Sequence, residues 1–203
     1  MPFSSHSCNS MQISGDRVQD YHEFMDEILV DERALKKRVA EIGAQINRDY
    51  AGQELLVVCL LRGGITFSAD LTRCLTVPHT LDCMSLSSYG TGHYASSGNV
   101  RVNLDLLTNI EGMNVLLVED IVDSGRTLAH VLEMLRTRSP KSLRVCVLLD
   151  KKYRREVPVD VDYVGFDVPD KYVFGYGIDI DEHYRHLPFI ASADLSRYRK
   201  PGV

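Results

Sequence analysis

Val115–Thr127 reads VLLVEDIVDSGRT. Four consecutive apolar residues, Val115–Val118, predict a strand buried on both faces, as in a parallel sheet. The strand runs into two adjacent carboxylates, Glu119 and Asp120, and then a short turn. Asp123, Ser124, Gly125, Arg126 and Thr127 follow at the head of a helix. That helix is predicted because Leu128, Val131, Leu132 and Leu135 recur at i, i+3, i+4 and i+7. In open α/β sheets ligands bind beyond the carboxyl ends of the strands, and this turn lies there.

The turn suits a phosphate monoester. Free backbone N–H groups at a helix start point outward, and the helix dipole favours an anion. Gly125 lets the backbone approach closely, and Ser124 and Thr127 add hydroxyl donors. Glu119 and Asp120 would repel phosphate. They suit the diol of a ribose, or a hydrated Mg²⁺. One turn thus offers an anion cup beside a diol clamp, and the implied ligand is a sugar phosphate. An ordinary strand–turn–helix, with Asp123 as N-cap, would explain a bare Asp-Ser-Gly. The full ordered set is more specific.

Outward from this segment the same alternation continues. LLVVCLL (Leu55–Leu61) and LRVCVLL (Leu143–Leu149) are further buried runs, and Leu81–Leu86 is a weaker one. Tyr163–Val168 and Tyr172–Tyr176 are shorter strand candidates around Pro169. Leu35, Val39, Ile42, Ile46 and Tyr50 mark one helical face with Asp31 as its N-cap, and Ile65–Leu75 reads as another helix. The pattern predicts an α/β fold, an open, mostly parallel sheet flanked by helices. Asp16–Val30 fits either helix or loop. Ser87–Arg101 (SSYGTGHYASSGNVR) has no apolar face, and a loop this long in a compact domain is usually functional. Residues 1–25 are expected to form a loose tail and residues 26–203 a single domain.

Composition agrees. The 203 residues are 44% apolar and 25% charged, which suits one α/β domain. A net charge of -5 argues against a dedicated nucleic-acid binder. The five cysteines match no zinc spacing, and free thiols fit a reducing cytoplasm. No apolar run approaches the ~20 residues that span a bilayer, and the N-terminus lacks a signal-peptide pattern.

Val115–Thr127 resembles the phosphoribosyl-pyrophosphate signature of type I phosphoribosyltransferases. LLRGG ending at Gly64 resembles the family's pyrophosphate loop, and SSYG (Ser87–Gly90) the start of its lid. LLDK ending at Lys151, and Val168–Ile190 with its YRHLP run, resemble the purine-binding and C-terminal segments of hypoxanthine-guanine phosphoribosyltransferases, in their bacterial form. This resemblance implies a small hood and a flexible lid on the sheet.

The resemblance also implies roles. Asp123 becomes the acid/base residue near purine N7, and Ser124, Gly125, Arg126 and Thr127 the cradle of the 5-phosphate. Glu119 and Asp120 grip the ribose diol or Mg²⁺. Arg62, Gly63, Ser88, Tyr89 and Arg185 bind pyrophosphate, with a non-proline cis peptide at Leu61–Arg62. Lys151 donates to O6, Tyr172 stacks on the base, Val173 reads its edge through the backbone, and Asp179 holds Mg²⁺. The substrates implied are phosphoribosyl pyrophosphate and hypoxanthine, then guanine, with xanthine left open. The products are IMP or GMP and pyrophosphate, and the assembly a homodimer or homotetramer. Two other readings remain: a phosphoribosyltransferase for adenine, and an RNA-binding nucleotide sensor on the same fold. Lys151, a pure donor, argues against a 6-amino group. The acidic charge argues against RNA.

Overall fold

The structure is a computed structural model that describes residues 18–88 and 100–200. The N-terminal segment enters through a short 3-10 turn, Tyr21–Glu23, into strand β1 (Met25–Val30). Next comes helix α1 (Glu32–Asp49), whose first turn is closed by Asp31 accepting from the Ala34 amide at 2.7 Å. Then follow β2 (Leu55–Leu61), α2 (Gly64–Arg73), β3 (His79–Ser88) and β4 (Val100–Leu104). After these come β5 (Asn114–Val122), α3 (Arg126–Arg136), β6 (Ser142–Asp150), β7 (Tyr163–Asp167), β8 (Tyr172–Phe174) and β9 (Ile190–Ala193).

Six strands form one sheet in the order β4-β3-β2-β5-β6-β7. Every neighbouring pair is parallel except β3–β4 at the edge. The predicted α/β architecture is therefore present. Strand β2 is apolar at every position, and β5 and β6 carry apolar runs at Val115–Val118 and Val145–Leu149, because both faces are covered. Successive side chains alternate between two cores. Leu55, Val57, Leu116, Val118, Cys146 and Leu148 pack with α1 and α2 residues such as Ile42 and Phe67. Leu56, Val58, Leu117, Val145 and Val147 pack with Leu128, Val131, Leu132 and Leu135 of α3.

A second, three-stranded antiparallel sheet, β1-β9-β8, forms the small hood. Asp16–Val30 is the segment where expectation and structure part. Its described end is neither helix nor loop but hood strand β1, paired with β9. The pairing partner lies some 165 residues away (Ile28 opposite Ala191), so no local periodicity could announce it. Residues 21–25, expected to belong to a loose tail, are part of the fold. Phe24 is fully buried among Phe174, Tyr184 and Tyr198, at ring distances of 5.1–5.3 Å. Residues 1–17 lie outside the described residues.

Other boundaries shift modestly. β5 runs past Val118 to Val122, so Glu119 and Asp120 lie within the strand rather than after it. The ends of the Ser87–Arg101 loop are strand, with Ser87 opposite Arg101 and Ser88 opposite Val100. No described helix is long and apolar enough to cross a membrane. Four cysteines, Cys59, Cys74, Cys83 and Cys146, are free thiols, and Cys59 and Cys146 are buried as expected.

If Phe24 anchors the hood, Phe24→Ala should lower the unfolding free energy by about 3–5 kcal/mol. Urea unfolding checks this. A loss below about 1 kcal/mol would place Phe24 outside the cooperative core.

Candidate active site

The strand order reverses between β2 and β5: β2 is flanked by β3 on one side and β5 on the other. Because β2 and β5 are parallel, their carboxyl ends open on the same side, and a crevice forms between the chains leaving them. The two loops touch. A methyl group at Gly63, just past β2, would come within 1.9 Å of Asp120 Oδ2. Gly63 thus admits the carboxylate that the acidic pair presents, and the two segments read separately in the sequence form one surface. The Leu61–Arg62 peptide is cis.

The helix head after β5 is open. Gly125 is its N-cap, with φ +83, and no side chain closes it. The first intrahelical bond runs from Ala129 N to Gly125 O at 2.9 Å. The amides of Arg126, Thr127 and Leu128 thus precede the helical ladder, and Arg126 N meets the Ser124 hydroxyl at a long 3.4 Å. Asp31, by contrast, seals the head of α1. Asp123 is therefore not an N-cap, because it stands two residues too early. The Arg126 side chain turns away to Glu156, at 2.7 Å.

Asp123 instead faces a basic strap following β6. Arg154 Nε lies 2.9 Å from Asp123 Oδ1, and Lys151 Nζ lies 3.7 Å from Oδ2. The Lys151 side chain is only 8% exposed. Burying an ammonium group is costly without a partner, so Lys151 itself is not a solvated charge, although Lys152 beside it is exposed. The Lys151 amide donates to Val122 O at 3.0 Å, which ties the strap to the end of β5. Arg155 and Asp150 form a nearly buried ion pair beneath it. The Ser124 carbonyl accepts from Glu156 N and Val157 N. Arg154 also reaches Asp170 at 3.1 Å, which brings the approach to β8 toward Asp123.

A third cluster joins the hood to the loop after β2. Arg62 Nη2 lies 2.6 Å from Glu182 Oε1, and Arg185 Nη2 lies 2.8 Å from Glu182 Oε2. Arg185 Nη2 also pairs with Asp179 Oδ1 at 2.9 Å, and Glu182 N donates to Asp179 Oδ2 at 2.8 Å. A methyl at Gly177 would meet the Gly63 carbonyl at 2.3 Å, so this turn rests directly on the loop. Arg62, Asp179 and Arg185, expected from the sequence, thus converge. Arg154 and Glu182 were not foreseen. Within runs of like charges, nothing local distinguishes either one from its neighbours.

Val173 is buried in the hood, opposite Ser192, and Tyr172 is half-buried at the start of β8. The backbone of Ser88 ends β3, while Tyr89 lies outside the described residues. A cavity lined in part by Lys36, Thr66, Asp70, Tyr176 and Arg185 borders this cluster through Arg185 and includes neither Asp123 nor Lys151. Among the described residues no three His, Cys, Asp or Glu side chains converge on one point suited to an ion. A cation at this site would need ligand oxygens and water to complete its shell.

The residues 26–183 match the family model of the phosphoribosyl transferase domain. Hypoxanthine phosphoribosyltransferase of Salmonella typhimurium is 49% identical over 171 residues, covering 83% of this chain and 96% of that protein. Hypoxanthine-guanine phosphoribosyltransferase of Dictyostelium discoideum is 45% identical over 178 residues, covering 86% and 98%. The crystal structure of a hypoxanthine-guanine phosphoribosyltransferase from Bacillus anthracis superposes with a TM-score of 0.79. It is 42% identical and covers 84% of this chain and 98% of its own.

Burial, then the neighbouring Asp120 carboxylate, push Glu119 well above the usual carboxylate range. The folded chain therefore favours protonated Glu119. Its contribution to stability is whole below the ordinary glutamate value of about 4.3 and is lost as pH rises through the raised one. Glu119→Gln carries no charge to bury. Its melting temperature relative to the parent should be higher near about pH 8 than near about pH 4. Melting curves that shift in parallel across that range would dismiss this cost of charge burial.

Proposed function

The chain belongs to the type I phosphoribosyltransferase family, and on that footing we propose that it serves purine salvage at the crevice between β2 and β5. It is an enzyme that transfers 5-phosphoribosyl from phosphoribosyl pyrophosphate to hypoxanthine, yielding IMP and pyrophosphate. Guanine is the second base, giving GMP. The observation that carries the choice of base is the pairing of Lys151 Nζ with Asp123 Oδ2 at 3.7 Å. A 6-oxopurine shows N7 and O6 side by side, close enough for one side chain to span. A donor and an acceptor set at that spacing match O6 and a protonated N7. A 6-amino group would meet a lysine that has only donors.

The proposed sequence of events follows from these positions. The open head of α3 binds the 5-phosphate through its amides, with Ser124, Gly125 and Thr127 lining the cup. The Arg126 amide contributes, while its side chain is held by Glu156. Glu119 and Asp120 hold the ribose hydroxyls. Arg62, Gly63 and Arg185 hold the pyrophosphate, with Ser88 at the end of β3 and Tyr89 after it. Tyr172 stacks on the purine, and the Val173 backbone reads its edge. N9 bonds to ribose C1 as pyrophosphate leaves with the bond electrons, and the N7 proton passes to Asp123. Arg154 keeps one oxygen of Asp123 fixed, so the other, beside Lys151, faces the base.

The residues that would hold Mg²⁺ are the acidic pair or Asp179, with substrate oxygens and water completing the shell. Glu119 and Asp120 are adjacent carboxylates, and Glu119 is raised first by burial and then by the Asp120 carboxylate beside it. Asp179 is the third candidate, each of its oxygens already sharing one hydrogen-bonded partner. When bound, the ion would neutralise the phosphate oxygens and steady the leaving group. The glycine- and serine-rich stretch between β3 and β4 is read as the lid that excludes water. The free thiols support a cytoplasmic setting. The family resemblance supports a homodimer or homotetramer, which light scattering would read.

Initial rates with hypoxanthine, guanine, xanthine and adenine test the whole reading. Hypoxanthine should lead and adenine give no product. No nucleotide with any base, beside a positive RNA gel shift, would replace the enzyme with a regulator. Asp123→Asn should cut turnover about 10²-fold or more while leaving substrate affinity largely intact. Unimpaired turnover would remove Asp123 from the base role. Lys151→Ala should weaken hypoxanthine more than phosphoribosyl pyrophosphate, and an equal loss for both would remove Lys151 from O6.

A further inference from the structure

Glu182 stands between two arginines on different elements. One oxygen meets Arg62 at 2.6 Å, and the other meets Arg185 at 2.8 Å. The turn that places it there is backed by unusual conformations. Asp181, Glu182 and Tyr184 all have positive φ, at +47, +69 and +68. Non-glycine residues seldom adopt this region, and such clusters occur where a site is held in place by its surroundings. The Glu182 amide is fixed by Asp179 Oδ2 at 2.8 Å. The carboxylate is thus aimed. Its bridge to Arg62 is exposed, whereas Arg185 is 23% exposed and also pairs with Asp179. Arg62 and Glu182 are 68% and 54% accessible. Exposed pairs of this kind are individually weak and exchange readily.

We infer that Glu182 is an internal counter-anion, a positioning residue that holds Arg62 and Arg185 at the spacing of the pyrophosphate group and yields them to it. The inference rests on the pyrophosphate role proposed above for those two arginines. A diphosphate carries more negative charge than one carboxylate and offers more acceptor oxygens, so it wins the arginines when it arrives. When it departs, the carboxylate returns. Competition of this kind weakens product binding and speeds its release, at the expense of some affinity for the diphosphate substrate.

The probe is inorganic pyrophosphate, titrated calorimetrically into the whole protein with and without Mg²⁺. Glu182→Gln removes the competing charge, freeing Arg62 and leaving Arg185 only Asp179, and should tighten pyrophosphate about three- to tenfold. Hypoxanthine affinity with IMP as reference should stay put. Under turnover, pyrophosphate should inhibit the variant at correspondingly lower concentration, with KM for phosphoribosyl pyrophosphate and kcat both reduced. Glu182→Asp keeps the charge but shortens its reach, so its affinity should fall between the two. It also serves as the test if the glutamine variant does not fold. Unchanged or weaker pyrophosphate binding by the variants, in a protein that makes nucleotide, overturns the inference. A parent protein that neither binds pyrophosphate nor makes nucleotide overturns the underlying reading instead.

Discussion

The parallel pairing of β2 with β5 is the constraint on which the site depends. Leu56 through Cys59 run beside Val115 through Val118 in register. Both strands therefore deliver their exits to one end of the sheet. Close approach there is possible because Gly63 has no side chain where Asp120 sits. A parallel pair needs a long crossover between its strands, and here that crossover includes α2, β3 and β4. The sheet core is thus also the device that brings a glycine loop and an acidic strand end together.

The charges of the molecule divide by burial. Asp150 and Arg155 are nearly enclosed and lock the strap that carries Lys151 and Arg154. Breaking such a pair leaves an uncompensated charge inside, which is why it acts as a fixture. Arg62 and Glu182 meet nearer to solvent, where ion pairs are loose. The helix ends divide in the same way. Asp31 closes the head of α1 with the protein's own carboxylate. The head of α3 follows a left-handed glycine with no capping side chain, so its amides keep their capacity for an anion from outside.

The hood completes the arrangement from far along the chain. Its strands β1, β8 and β9 come from both ends of the sequence, and Asp194 N bonds to Phe24 O at 2.8 Å where those ends meet. The turn from Gly175 to Arg185 then lies on the Gly63 loop, with Arg185 Nη1 donating to the Gly177 carbonyl at 2.8 Å. The aromatic cluster around Phe24 thus sits under the hood strands that lead into the turn bearing Asp179, Glu182 and Arg185.

Local pattern alone was enough for the helices and for five strands of the main sheet, while the edge strand β4 was not among the strands read. A strand covered on both faces must be apolar throughout, as Leu55–Leu61 is over its whole length, and a half-buried helix must repeat its apolar residues, as α1 and α3 do. The open helix head after β5 was legible for the same reason, because Asp123–Thr127 is contiguous and its backbone geometry is that of one turn. Strand β1 was not legible, since its apolar partners are supplied by β9 and the aromatic cluster rather than by its own alternation. Nor was the selection of Arg154 over Lys152, or of Glu182 over Asp181, because charges in a run differ only in where the folded chain aims them. Sequence determines what a segment must bury and which groups it carries. Tertiary structure decides which distant groups meet, because only packing sets distances between residues that the chain itself leaves far apart.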